Sequence, residues 1–283
     1  MNLISWNIQW ARGVDGVVDP QRILDDARRL GDFDVLCLQE VAAHYPKLAG
    51  SKGENQFEQF AALLPGYTGV WAAGVDVIGD DGSRRMFGNM ILSRYPVLRV
   101  VRHQLPWPVD GAVISMPRVL IEATLDTPLG PVRVMNTHLE YHSATQRAAQ
   151  VDAIRRIHEE TCQRALGSHT RDGSGSPYHV FAQPTQTILT GDFNFRQTDA
   201  LHTRVQQPFE APGVPRLVDS WVHLHGEQPH PLNVGVYDRE QWEEAFTCDF
   251  IYVSEDLVTR VQDFRVDGQT RSSDHQPQSI TLS

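Results

Sequence analysis

Val35-Leu36-Cys37-Leu38-Gln39-Glu40 carries the reading of this 283-residue chain. Apolar residues in unbroken succession describe a strand covered on both faces. The run then ends in an acid. Residues 2–8 read as a first strand, with Asn7 as the polar residue after Trp6. Downstream, the strand Val132 to Asn136 runs into His138, and Ile188-Leu189 runs into Asp192 and Asn194. Ser273-Asp274-His275 lies in a loop after Gly268, ahead of a last strand at Ile280. An acid, amide or imidazole at each of these places is how one rim of a sheet gathers a site.

Between the strand ends the elements alternate. Asp19-Pro20 opens a helix, Asp as N-cap and Pro at the first helical position, with Ile23, Leu24, Ala27 and Leu30 as its apolar stripe and Gly31 as its stop. A second helix spans about 55–64, ended by Pro65-Gly66. Tyr67 to Leu105 reads as strands and hairpins around an Asp80-Asp81-Gly82 turn, with Asn89 to Leu92 and Val97 to Leu105 as strands. Val119 to Leu125 and Val132 to Asn136 flank a Thr127-Pro128-Leu129-Gly130 hairpin. Ser143 and Gln146 resemble a capping box opening a helix to about Leu166. Residues 167–184 read as a long loop, and Phe250 to Val253 as a late strand. Candidate functional residues come from both ends of the sequence, so a single domain over 1–283 is expected. Two packed, mostly antiparallel sheets with helices on their outer faces fit the pattern.

Composition narrows the class. Hydrophobic residues are 41% and charged residues 21%, which suits a soluble protein with a real core. No apolar run approaches the ~18 residues of a membrane span. The start, Met1 to Trp6, lacks the features of a signal peptide, so a cytoplasmic location is expected. Cys37, Cys162 and Cys248 are too far apart for a disulfide framework, and no zinc-type spacing is present. The net charge of −10 and the absence of a basic stripe argue against tight, non-specific duplex binding and tilt toward small substrates. No segment indicates a protein partner.

The candidate residues suit phosphate chemistry. Asp192 and Asn194, two apart, point the same way if the chain stays extended. Together they can hold a water and touch a phosphate oxygen; an Asx turn capping the strand is the plainer reading. His138 follows a strand without an adjacent turn signal. In Asp274-His275 a carboxylate can steer an imidazole, or bind metal while the imidazole meets phosphate. Asp249, opening a strand, is either an orienting partner for His275 or a solvated strand end. Glu40 and Asn7 offer hard oxygens suited to Mg²⁺ or Mn²⁺. His223, His225 and His230, in a Pro-rich loop without a matching acid motif, read as surface histidines.

In order along the chain, Trp6-Asn7-Ile8-Gln9, Leu38-Gln39-Glu40, Gly88-Asn89-Met90-Ile91-Leu92-Ser93-Arg94, Arg118, Asn136-Thr137-His138-Leu139, Gly191-Asp192-Phe193-Asn194, Asp249-Phe250-Ile251 and Ser273-Asp274-His275 resemble the endonuclease/exonuclease/phosphatase superfamily. Its members include deoxyribonuclease I, exonuclease III-type apurinic endonucleases, neutral sphingomyelinases, inositol polyphosphate 5-phosphatases and tyrosyl-DNA phosphodiesterases. The resemblance implies a four-layered α/β sandwich and a divalent-metal phosphoesterase working by in-line attack of water. It implies Glu40 as principal metal ligand, with Asn7 and Asp274 around the same ion. Asp192 matches the acid that binds metal or activates water, and Asn194 the phosphate-contacting amide. His275 matches the essential imidazole and Asp249 its orienting partner. His138 matches a second histidine, acid or phosphate contact, while Asn89 and Arg118 match positions on the phosphate side.

Departures from the pattern leave the substrate open between nucleic acid and small or lipid-headgroup phosphate esters. Val41-Ala42-Ala43-His44 replaces the apurinic-endonuclease continuation after Glu40. Segments 41–54, 76–86, 106–117, 167–184 and 226–244 read as insertions shaping access. Trp107, Trp242 and Tyr237 are either stacking platforms or loop anchors. A catalytically silent binding module on the same fold is the alternative reading, and the intact set of acids and imidazoles weighs against it.

Overall fold

The computed structural model describes residues 1–167, 175–178, 181 and 183–283. The expected loop at 167–184 therefore lies largely outside the described residues. The strands are β1 Asn2–Asn7, β2 Val35–Ala43, β3 Thr68–Ile78, β4 Arg84–Ser93, β5 Val97–Gln104, β6 Val119–Thr127, β7 Gly130–His138, β8 Thr187–Asp192, β9 Leu217–Asp219, β10 Asp249–Ser254, β11 Val261–Val266 and β12 Gln278–Leu282. The helices are α1 Pro20–Leu30, α2 Gln56–Leu63, α3 Ala144–Leu166, α4 Ala200–Gln206 and α5 Ser220–His225.

The strands form two six-stranded sheets, ordered β11-β12-β1-β2-β4-β3 and β5-β6-β7-β8-β10-β9. Each is antiparallel except at one central pair, β1 with β2 in the first sheet and β7 with β8 in the second. Strand alternation divides every inner strand between two cores. Leu3, Val35, Cys37, Val134, Ile188 and Ile251 turn into the space between the sheets. Ile4, Trp6, Leu36 and Leu38 turn outward under α1 and α2. Met135, Leu189, Phe250 and Tyr252 turn outward toward Val151 and Ile154 of α3. The layers are helix, sheet, sheet, helix: the expected four-layered sandwich.

Local signals placed the helices. Asp19 caps α1 through Gln21 N and Arg22 N, with Pro20 at the first position. Ser143 Oγ accepts from Gln146 N, but the other half of the capping box is absent. The Gln146 amide instead donates to Pro108 O and Ser115 Oγ, fastening the 106–117 loop to the start of α3. Within segment 76–86, Asp76 to Ile78 and Arg84 to Met86 lengthen the β3–β4 hairpin around its Asp-Asp-Gly turn.

The reading of His230 as a surface histidine is corrected. Nε2 of His230 and Nε2 of His202 on α4 each lie 2.8 Å from Asp219 Oδ2. Only 7% of the His230 side chain is exposed. Its acid comes from the N-cap of α5, where Asp219 Oδ1 also accepts from Trp221 N and Val222 N. His223 is exposed, as expected, and His225 is half-buried on the same helix.

Burial opposes ionisation of Asp219, yet the His202 and His230 hydrogen bonds hold its carboxyl down to about 2. A depressed carboxylate stabilises the fold above its unfolded pKa near 3.9 and loses that contribution as pH falls toward the folded value. Asp219→Asn is expected to cost roughly 3–5 kcal/mol in urea unfolding at pH 7, because it breaks a buried pair. The gap between wild type and variant should shrink by about 2 kcal/mol between pH 5 and pH 2. A gap independent of pH contradicts the assignment.

Candidate active site

Both parallel pairs run toward the same rim, and there the inner faces turn polar. Asn7 ends β1, His138 ends β7, Asp192 ends β8, and Asp249 begins β10 directly opposite Asp192. All four continue the inner-facing alternation of their strands. Glu40 would not: Leu36 and Leu38 face outward, so an even-numbered residue of β2 belongs under the helices. The register shifts between Leu38 and Val41, and Glu40 takes φ +60°. Beyond that bulge the outward residues are Val41 and Ala43. The bulge reverses the alternation and delivers Glu40 to the inner side.

Asp274 and His275 arrive from the segment before β12. Ser273 Oγ donates to Asn7 O at 2.7 Å, and Trp6 Nε1 donates to His275 O at 2.9 Å. These bonds pin the late loop to the end of β1.

The polar groups interlock. Asn7 Nδ2 donates to Glu40 Oε1 at 3.1 Å and Asp192 Oδ2 at 2.9 Å. Asn194 N donates to Asp192 Oδ1 at 2.9 Å, so the Asx turn and the paired side chains are one structure. Asn194 takes φ +52°, and its Nδ2 reaches both Leu139 O and His138 Nε2. The bond to Leu139 O fixes the amide orientation, so His138 Nε2 accepts and its proton sits on Nδ1. His275 Nδ1 donates to Asp249 Oδ2 at 2.9 Å, and its Nε2 lies 3.8 Å from Asp192.

Burial and crowding set the protonation. Burial, then the Asp274 charge, push Glu40 up to about 7. Burial and the neighbouring Arg118 push His138 down to about 3, leaving it neutral. Burial opposes charging of His275, but Asp249 and Asp274 raise it well above an ordinary histidine. Asp249 itself is raised to about 7, chiefly by burial, as befits a pair sharing a proton. For Asp192, burial is outweighed by the adjacent imidazoles and the Asn7 amide, which keep it below the usual range.

An open cavity of about 350 Å³ is bounded by Glu40, Arg118, His138, Asp192, Asn194, Asp274 and His275, with Gln9, Trp10, Met116, Tyr141, His142, Gln241 and Trp242 around its mouth. Most of the expected residues therefore meet there. Arg118 Nε donates to Glu140 Oε2 at 3.2 Å, so its charge is partly spent. Asn89 lies at an adjoining recess with Arg118 and His138, and its amide donates to Val119 O across the sheets. Of the aromatic candidates only Trp242 borders the cavity; Trp107 bonds Ser115, and Tyr237 bonds Gly268 O. Gln9 belongs to the Trp6-Asn7-Ile8-Gln9 motif and Trp242 to the aromatic candidates, whereas Trp10, Met116, Tyr141, His142 and Gln241 carry no local motif and reach the mouth only through tertiary folding.

Among the described residues at the rim, two groups could hold a cation; a third cluster, His202, Asp219 and His230, lies outside the cavity lining. Glu40, Asn7 and Asp274 offer hard oxygens, and the upward push on Glu40 from Asp274 marks a place short of positive charge. Asp192, Cys248, Asp249 and His275 also place ligand-type atoms within 4.8 Å of one another. There, however, the Cys248 thiol is kept protonated by burial and nearby carboxylates, and Asp249 already holds His275. The second group is a proton-sharing network, and the first fits a cation better.

The stacked sheets form the deoxyribonuclease I-like sandwich, the fold of a class of phosphoesterases. The chain belongs to the Endonuclease/Exonuclease/phosphatase family, whose sequence profile matches residues 4–275. Similar solved structures include an endonuclease/exonuclease/phosphatase from Beutenbergia cavernae, 22% identical, with a TM-score of 0.65 over 99% of this chain and 70% of that one. A mannosyl-6-phosphatase from Bacteroides thetaiotaomicron is 18% identical, with a TM-score of 0.64 over 100% and 99% of the two chains. A Neisseria 3' phosphatase bound to a product DNA hairpin is 19% identical, with a TM-score of 0.62 over 100% and 99%. No curated protein matches the chain in sequence.

Gly191 makes the rim geometry possible. It holds φ +146°, and a Cβ there would lie 1.9 Å from Thr137 O on the paired strand. Gly191→Ala is expected to cost at least about 2 kcal/mol, through backbone strain and the clash. A denaturant midpoint unchanged from wild type would contradict the close approach of β7 and β8.

Proposed function

We propose that the protein is a divalent-metal-dependent phosphoesterase that hydrolyses a compact phosphate ester by in-line attack of water. The observation that carries this reading is the meeting of Glu40, Asp192, Asp274 and His275 on one cavity, with the Asn7 amide hydrogen-bonded to the first two. Glu40, Asn7 and Asp274 would hold Mg²⁺ or Mn²⁺, with Asp192 beside them. When bound, the cation supplies Lewis-acid polarisation of a phosphoryl oxygen.

The remaining steps belong to the protein's own groups. Asp192, kept ionised and held by the Asn7 amide and the Asn194 N–H, orients a water and accepts its proton. The Asn194 amide directs its two N–H bonds to Leu139 O and to Nε2 of the neutral His138, which leaves His138 Nδ1–H to donate to a non-bridging phosphate oxygen. Burial and the neighbouring Arg118 hold His138 neutral, which suits it to the part of a phosphate contact. His275, charged and steered by Asp249, presents Nε2–H to oxygen on which negative charge develops.

The surroundings favour a small or terminal ester over a long polyanion. Among the described residues, Arg118 is the lone arginine or lysine bordering the cavity, and Glu140 already partners it. A backbone-tracking nuclease groove needs several cations along its course. The complete set of acids and imidazoles supports catalysis over a silent binding role.

Purified protein with Mn²⁺ or Mg²⁺ should hydrolyse at least one member of a panel spanning p-nitrophenyl phosphate, bis-p-nitrophenyl phosphate, sugar phosphates, nucleotides, sphingomyelin and single- and double-stranded DNA. A chelator should abolish that turnover. Glu40→Ala should raise the metal concentration for half-maximal rate by an order of magnitude or more, roughly the effect of losing a ligand. His275→Ala should lower kcat by about 10²-fold or more, with the metal requirement little changed. Chelator-resistant turnover, or wild-type rates in both variants, would remove the assignment.

A further inference from the structure

Asp274 is the candidate ligand with the most elaborate support. Its Oδ2 accepts from Gln241 Nε2 and from Trp242 Nε1, each at 3.0 Å. Its Oδ1 has one weak contact, Ser273 Oγ at 3.3 Å. One oxygen is thus saturated from the 235–246 segment while the other is left available.

That segment is also joined to the opposite end of the site. Gln9 Nε2 donates to Gln241 Oε1 at 2.9 Å, and Gln9 N donates to Asn7 Oδ1 at 3.1 Å. Gln9 reaches both because the chain turns left-handed straight after β1, with φ of +45° at Gln9 and Trp10 and +59° at Ala11. A hydrogen-bonded chain therefore runs Asn7–Gln9–Gln241–Asp274. Trp242 is held over it by edge contacts with Tyr141, Phe246 and His275. Gly235 N donates to Asp274 O at 2.9 Å. Gly235 takes φ +67°, and a Cβ there would come within 2.7 Å of Trp242 Cβ.

We propose that Gln241 and Trp242 are positioning residues for the cation site: by fixing Oδ2 of Asp274 they aim its Oδ1 and lock that carboxylate in register with Asn7. This rests on the metal-dependent reading above. An unsupported carboxylate would rotate freely and lose entropy on meeting a cation; a carboxylate already hydrogen-bonded on its far side does not. Gln241 has an exposed surface and Trp242 is half-buried, so neither substitution below opens the core.

The test measures Mn²⁺ binding directly, by electron paramagnetic resonance of free Mn²⁺, on wild type, Gln241→Leu, Trp242→Phe and the double variant. Phe keeps the ring contacts and removes the N–H donor. The double variant should bind Mn²⁺ about tenfold or more weakly, the usual consequence of removing hydrogen bonds behind a ligand. Each single variant should fall between, with unfolding midpoints near wild type. Gly235→Ala, which displaces the segment without removing a donor, should weaken binding in the same direction. A double-variant Kd within twofold of wild type overturns the proposal. So does tighter binding, which would mean that the donors compete with the cation. Wild-type protein that binds no Mn²⁺ overturns this proposal and the metal-dependent reading together, whereas a wild-type affinity shared by the double variant overturns this one alone.

Discussion

Asn136 ties the sheets together at the level where core becomes site. It is fully buried on β7, and its Nδ2 donates to Leu38 O and Met90 O in the opposite sheet, each at 3.0 Å. Gln39 Nε2 returns a 2.7 Å bond to Asn136 Oδ1 and a longer one to Ser5 Oγ. Removing Asn136 would strand buried partners at about 1–3 kcal/mol apiece. The strap also fixes the spacing of the inner faces. On one side of it lie Leu3, Val134 and Ile188; on the other lie Asn7, Glu40, His138 and Asp192. Apolar packing alone would hold the sheets but would not set their separation so sharply at the rim.

That boundary explains what could be read from the primary structure. Strand ends were legible because alternation and polarity change are local, which is why Asn7, His138, Asp192 and Asp249 were found and do converge. Pro20, Asp19 and Ser143 marked helices by chemistry confined to a few residues. Glu40 was located, but not the reason it faces inward: a bulge reverses parity without leaving a signature in Gln39-Glu40. His230 was misjudged because its acid lies eleven residues upstream in sequence and His202 on another helix. The roles of Gln9, Gln241 and Trp242 at the mouth are not legible for the same reason, since their partners lie 232, 33 and 32 positions away.

Charge is distributed with the same economy. The chain is acidic overall, and at the rim the buried Asp192, Asp249 and Asp274 crowd together with the part-buried Glu40. Such crowding opposes folding unless protons, imidazoles or a cation compensate it. Asp249 with His275, and Asp192 with the Asn7 amide and the Asn194 N–H, compensate in part. Asp219, far from the cavity, shows the contrasting case of a buried acid satisfied completely by two histidines and a helix N-terminus. The two clusters use the same residue types, yet only the rim leaves an acid raised toward neutrality.

The pairing of β1 with β12 has a bearing on the order of events as the chain folds. β1 sits between β2, its neighbour in sequence, and β12, whose residue Thr281 lies opposite Asn2. Until β12 docks, β1 is an open edge with unpaired N–H and C=O groups, a surface prone to wrong pairings. Closing so long a loop is entropically slow, so this sheet is expected to be completed late. Asp274 and His275 travel with that closing segment. The candidate site would then be assembled only when the last strand zips against the first, and half-made chains would lack it.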